Sequence, residues 1–124
     1  MSRILVADDD VVQLDLRKRV LETAGHAVTV ALDPSGALRQ LNRGWDLLIM
    51  DLRFRNCAGE SDSREGLALI RRNREMGSSV PVVVLSGWPE DLYGQPEEKM
   101  VSRVMVKPVS TRELLAAIAE LAAG

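Results

Sequence analysis

The chain has 124 residues, enough for one domain with a substantial core and too few for two. Hydrophobic residues make up 46% and charged residues 27%, the balance of a soluble globular fold rather than a disordered or fibrous chain. A net charge of −2 gives no reason for direct contact with nucleic acid, and no apolar stretch approaches the roughly 20 residues that cross a bilayer.

No charged-then-apolar leader opens the chain, so no membrane insertion and a cytoplasmic location are expected. Ile4–Ala7 is an unbroken apolar run, the pattern of a strand covered on both faces, and Asp8-Asp9-Asp10 follow it at once. A helix comes next, with Val12, Leu16 and Val20 in a stripe, Leu14 and Leu21 beside it, and Gly25 closing it. Asp10 reads as the cap of this helix rather than as a metal ligand. Val28-Thr29-Val30 is a more polar strand, which suits a sheet edge. Asp33-Pro34 then starts a second helix, with a capping side chain and a proline whose missing N–H would have had no partner. That helix ends near Gly44, before the strand Leu47–Met50 and Asp51.

From Arg53 to Arg64 the chain is polar and aperiodic, and it reads as a loop. A third helix spans about Glu65 to Met76, burying Leu67 and Ile70, with Arg71, Arg72 and Arg74 as a solvated face. Val80–Leu85 is the fourth strand, followed by Ser86, and Val104–Val106 is the fifth, followed by Lys107-Pro108. Between them stand Pro89, Gly94 and Pro96, and an interior proline costs a helix about 3 kcal/mol, so the fourth helix should be short or broken and restart at Pro96. Ser110 and Glu113 form a capping box for the last helix, whose Leu114, Ile118, Leu121 and Ala122 share one face. The lone histidine, His26, falls in a turn and reads as solvated. Cys57, the lone cysteine, has no disulfide partner and nothing nearby to favour its thiolate, which leaves neither a zinc site nor a Cys–His nucleophile to build.

Five βα units predict an α/β fold with a doubly wound, five-stranded parallel sheet and five helices. Such sheets bind ligands outside the carboxyl ends of their strands, and Asp8, Asp9, Asp51, Ser86 and Lys107 all fall there. A carboxylate cluster facing a lysine is a place to hold a divalent cation and a phosphoryl group.

The motifs Leu5-Val6-Ala7-Asp8-Asp9-Asp10, Asp46-Leu47-Leu48-Ile49-Met50-Asp51, Val84-Leu85-Ser86-Gly87 and Val106-Lys107-Pro108, in that order, resemble the receiver domain of two-component response regulators. The resemblance covers essentially the whole chain, 1–124, and implies the flavodoxin-like strand order 2-1-3-4-5. It also implies that Asp51 is the phosphoacceptor, taking its phosphoryl group from a sensor histidine kinase or a histidine phosphotransfer protein. Asp8, Asp9, Asp51 and the backbone carbonyl of Arg53 would hold Mg²⁺. Lys107 would pair with Asp51 and a phosphoryl oxygen, Ser86 would hydrogen-bond another, and the Lys107-Pro108 bond would be cis. The expected protein is no enzyme on outside substrates but a phosphoacceptor that catalyses its own phosphorylation and slow dephosphorylation. With the chain stopping at Gly124 after the last helix, a stand-alone receiver that acts by binding a downstream protein is expected, the alternative being the N-terminal receiver of a longer regulator.

Three departures stand out. Val104 occupies the position where many receivers carry a mobile aromatic ring, so the readout is expected from Trp88–Val101 instead. Phe54-Arg55 replaces the usual Met-Pro pair. The acidic-Gly pair arrives only at Glu65-Gly66, an insertion of about seven residues of the kind that is functional or disordered. The competing enzyme reading is a small haloacid-dehalogenase-like phosphatase with Asp8 as nucleophile and Asp10 as acid, which leaves Asp51 without a role. A phosphorylation-independent pseudo-receiver scaffold is the third reading, and the aspartate that becomes phosphorylated separates them.

Overall fold

The computed structural model describes residues 1–55 and 58–122, so Cys57 lies outside the described residues. In chain order the elements are β1 (Arg3–Ala7), α1 (Val11–Thr23), β2 (Ala27–Ala31), α2 (Pro34–Gln40) and β3 (Leu47–Asp51). A two-residue pair, β4 (Phe54–Arg55) and β5 (Ser61–Asp62), precedes α3 (Arg64–Glu75) and β6 (Val82–Ser86). Two 3₁₀ turns, Pro89–Asp91 and Pro96–Met100, lead to β7 (Arg103–Val106) and α4 (Thr111–Leu121).

Five parallel strands form one sheet in the order β2-β1-β3-β6-β7, which is the expected 2-1-3-4-5 order with the β4–β5 hairpin set aside. The polar strand β2 lies at an edge, as its composition suggests. Strand side chains alternate between faces, so each strand feeds two cores. Leu5, Ala7, Leu48, Met50, Val82 and Val84 pack under α2 and α3 with Ala37, Leu69 and Ile70. Ile4, Val6, Leu47, Ile49, Val83 and Leu85 pack under α1 and α4 with Leu14, Leu21, Leu114 and Ile118. Each Val, Leu, Ile or Met among them contributes about 1.5–3 kcal/mol by leaving water, and burial on both faces explains the unbroken apolar runs.

The structure corrects several expectations. Helix α1 turns Leu14 and Leu21 inward while Val12 and Leu16 stay exposed. The two candidate stripes are offset by two residues, or about 200° around the helix, so spacing alone could not choose between opposite faces. There are four α-helices among the described residues rather than five, while the proline-punctuated segment is broken as expected into two 3₁₀ turns, the second starting at Pro96. The 53–64 stretch is not a structureless loop: β4 and β5 pair antiparallel, and Phe54, the chain's only phenylalanine, is buried in the core beneath α3. Two-residue strands are too short to leave a period in the sequence.

Arg71 and Arg74 are likewise more than a solvated face. Arg71 pairs with the buried Glu97 at 2.8 Å and Arg74 donates to the Lys99 carbonyl, so α3 holds the second 3₁₀ turn in place. His26 is half-buried and accepts a hydrogen bond from the Ser2 N–H at 3.2 Å. Asp33 and Ser110 cap α2 and α4 as expected.

One close approach ties the fold to the carboxyl end of β3. A Cβ on Gly66, in the first turn of α3, would sit 2.1 Å from the Leu52 carbonyl oxygen, one residue past Asp51. Gly66→Ala should therefore cost about 1–3 kcal/mol in urea denaturation, the range for overpacking. Gly87→Ala, where nothing lies within 4 Å, should stay within about 0.5 kcal/mol. Equal midpoints for the two variants would contradict the close contact.

Candidate functional site

Parallel strands end on the same side of the sheet, and the register places Asp51 against Leu85 and Ser86 against Val106. The five candidate residues therefore gather at one edge. Asp8 closes β1 with no solvent exposure. One of its oxygens accepts the Asp10 N–H at 2.9 Å, and the other faces Arg17 Nη1 at 2.9 Å and Lys107 Nζ at 3.6 Å. Asp9, half-buried, accepts the Arg55 N–H at 2.8 Å. Asp51 accepts Lys107 Nζ at 2.9 Å on Oδ2 and the Arg53 N–H at 3.3 Å on Oδ1.

One carboxylate oxygen from each of Asp8, Asp9 and Asp51 lies within 4.8 Å of the others. Hard oxygen donors converging in this way fit a hard divalent cation such as Mg²⁺. Burial pushes the Asp51 carboxyl above its usual pKa; the Lys107 ammonium opposes the rise and the Asp8 charge adds to it. Ser86 is buried, its hydroxyl accepting the Trp88 N–H at 2.9 Å and thereby keeping its own proton for another acceptor. Its carbonyl accepts the Lys107 N–H at 2.9 Å, which fixes the start of the Lys107-Pro108 turn, and that peptide bond is cis.

Three parts of the site were not legible. Arg17 lies between Leu14 and Leu21 on the inner face of α1, so the signal was there once that face is chosen. The backbone of Arg55, at the root of the hairpin, holds Asp9. The Arg53 side chain reaches sideways, its Nε to Asp91 Oδ2 at 2.6 Å and its Nη2 to Asp91 Oδ1 at 3.2 Å. Its guanidinium carbon stands 4.1 Å from the centre of the Trp88 ring. Asp91 raises the Arg53 pKa beyond its ordinary value, chiefly through that hydrogen bond, so the guanidinium stays charged. Asp10, by contrast, caps α1 by accepting the Val12 and Gln13 N–H groups. With Asp10 committed to the cap, the general acid of the phosphatase reading is already engaged by the helix start.

Residues 4–119 match the response regulator receiver domain family, and the chain belongs to it. It is 29% identical over 119 residues to a CpxR homolog, a transcriptional regulatory protein of Haemophilus influenzae, across 95% of this chain and 49% of the relative. It is 35% identical over 94 residues to the virulence transcriptional regulatory protein PhoP of Salmonella typhimurium, across 73% of this chain and 39% of that one. The chain thus spans less than half the length of these curated relatives. In fold it is similar to the Thermotoga maritima response regulator TrrA, crystallised with Mg²⁺ and BeF, with a TM-score of 0.81 and 24% identity over 98% of this chain and 99% of that one. A receiver domain from Clostridium thermocellum gives a TM-score of 0.83 at 22% identity, over 99% and 95%.

The site's charges yield two tests. Removing Arg17 leaves the buried Asp8 with Lys107 alone at 3.6 Å, so Arg17→Met should cost the metal-free protein about 3–5 kcal/mol, the range for breaking a buried pair. Chemical denaturation checks this, and a loss below about 1 kcal/mol, typical of surface pairs, would count against it. Because the folded pKa of Asp51 is raised, its favourable contribution is complete below the unfolded carboxylate value of about 3.9 and is lost as pH climbs through the folded value. Asp51→Asn should therefore raise the melting temperature of metal-free protein at pH 7, with the gap closing toward pH 4. A variant that melts lower than wild type at pH 7 would reverse the sign.

Proposed function

We propose that residues 1–124 form one receiver domain that accepts a phosphoryl group on Asp51 from a phosphohistidine of a sensor kinase or phosphotransfer protein, in the cytoplasm and with Mg²⁺. The observation that carries this is Lys107 Nζ at 2.9 Å from Asp51, inside a cluster of three carboxylates at the strand ends. A carboxylate is ionised at neutral pH and needs no base to act as nucleophile. One lone pair of Asp51 forms the new P–O bond while the P–N bond to the partner's imidazole breaks, its electrons staying on that nitrogen.

Asp8, Asp9, Asp51 and the Arg53 carbonyl would hold Mg²⁺, which would supply positive charge to offset the carboxylates and the incoming phosphoryl oxygens. The remaining work belongs to the chain itself. Lys107 holds Asp51 in place and then follows the phosphoryl oxygens as charge spreads over them. Ser86 turns its retained proton to another phosphoryl oxygen, and this draws on the Trp88 backbone to which it is bonded. Hydrolysis of the acyl phosphate at the same site resets the domain slowly. The phosphorylated state is read by a downstream protein through surface contact.

Intact mass after incubation with acetyl phosphate and Mg²⁺ tests the reading. Wild type should gain one phosphoryl group, and Asp51→Asn or wild type in EDTA should gain none. Label retained by Asp51→Asn and mapped to Asp8 would restore the phosphatase. A folded wild type that takes up none would leave the phosphorylation-independent scaffold.

A further inference from the structure

We propose that the Arg53 side chain is the link that carries the state of the acceptor site to the segment after β6, through its grip on Asp91 and Trp88; this rests on the receiver reading above. Arg53 touches the site twice over. Its N–H donates to Asp51 Oδ1, and its guanidinium makes a two-point, charge-assisted pair with Asp91, 38 residues away, while lying against the Trp88 ring. Trp88 in turn donates its N–H to Ser86. The Ser86 carbonyl accepts the Lys107 N–H and Lys107 Nζ bonds Asp51, so Asp51, Arg53, Trp88, Ser86 and Lys107 form a connected path that leaves the acceptor on one side and returns on the other.

The segment at the far end of this path is built to respond. Residues 88–100 hold two short 3₁₀ turns around Gly94, at φ 81°, in place of the regular hydrogen bonding of a helix. The Arg53 and Asp91 side chains are only 27% and 18% exposed, so the pair is shielded, and its fork geometry transmits direction as well as attraction. Val104 offers no ring to relocate, being packed against the core under α3. A phosphoryl group on Asp51 competes for the oxygen that now accepts the Arg53 N–H, so the backbone at 53 shifts and takes Asp91 and Trp88 with it. Arg53 thus acts as a positioning residue, and by linkage the segment's arrangement feeds back on the site by the same factor.

The test uses Trp45→Phe protein, in which Trp88 is the remaining tryptophan, with Mg²⁺ and beryllofluoride as phosphoryl mimic. Binding is followed by ¹⁹F NMR and the segment by Trp88 fluorescence and hydrogen exchange over residues 88–100. The parent should show both bound fluoride and a fluorescence change. Asp91→Asn, which keeps size and removes charge, should still bind, with the Trp88 response reduced roughly fivefold or more, and Asp91→Glu should restore part of it. A full Trp88 response in Asp91→Asn would overturn the link, as would loss of fluoride binding in that variant while folded, since Asp91 would then belong to the site. Absence of bound fluoride in the parent would instead sink the receiver reading, a failure the NMR arm shows separately.

Discussion

Asp8 has been taken wholly out of water within reach of two further carboxylates, and the rest of the molecule is arranged around that fact. An unpaired buried carboxylate is too costly to persist, so cations must be delivered to it. Arg17 comes from α1 and Lys107 from the turn after β7, elements at opposite ends of the chain. The rotation of α1 about its axis follows from this need, since only the face carrying Leu14 and Leu21 brings Arg17 to Asp8. Two cations face three carboxylates, and the site keeps a negative balance that favours one more positive ion.

The sheet makes this concentration possible. Its three inner strands β1, β3 and β6 are buried on both faces, leaving their carboxyl ends as the place where polar side chains meet a solvent-accessible edge. Residues 53–55 then lace that edge together. Arg53 bonds Asp51 and the segment after β6, Arg55 bonds Asp9, and Phe54 between them is anchored in the core, so two of three consecutive residues hold the site from one buried pin. The Gly66 contact with Leu52 presses the first turn of α3 against the same stretch.

What was legible in the sequence was what repeats or terminates. The apolar runs announced the buried strands, the residue after each run announced the site, and Asp10, Asp33 and Ser110 announced helix starts because a capping side chain has one place to be. What was hidden was what depends on tertiary choice. Helix α1 is apolar on two opposite faces, so Val12 and Leu16 looked as buriable as Leu14 and Leu21. Arg71 resembles any solvated arginine until the buried Glu97 appears beside it from a segment 26 residues on. Phe54 is a single apolar residue in a polar stretch, with no period to betray its burial. The Arg53 backbone could be inferred from its distance to Asp51, whereas its side chain could not, because nothing in the sequence relates it to Asp91.

The buried Phe54 and the tightly packed Gly66 also bear on how this chain can change. They anchor the two ends of the inserted stretch, and the entropy of closing a loop grows only with the logarithm of its length, by about 0.6 kcal/mol per doubling. A longer stretch between these two anchors would therefore add little closure entropy, so its length is thermodynamically cheap to change while Phe54 stays in the core and Gly66 against Leu52.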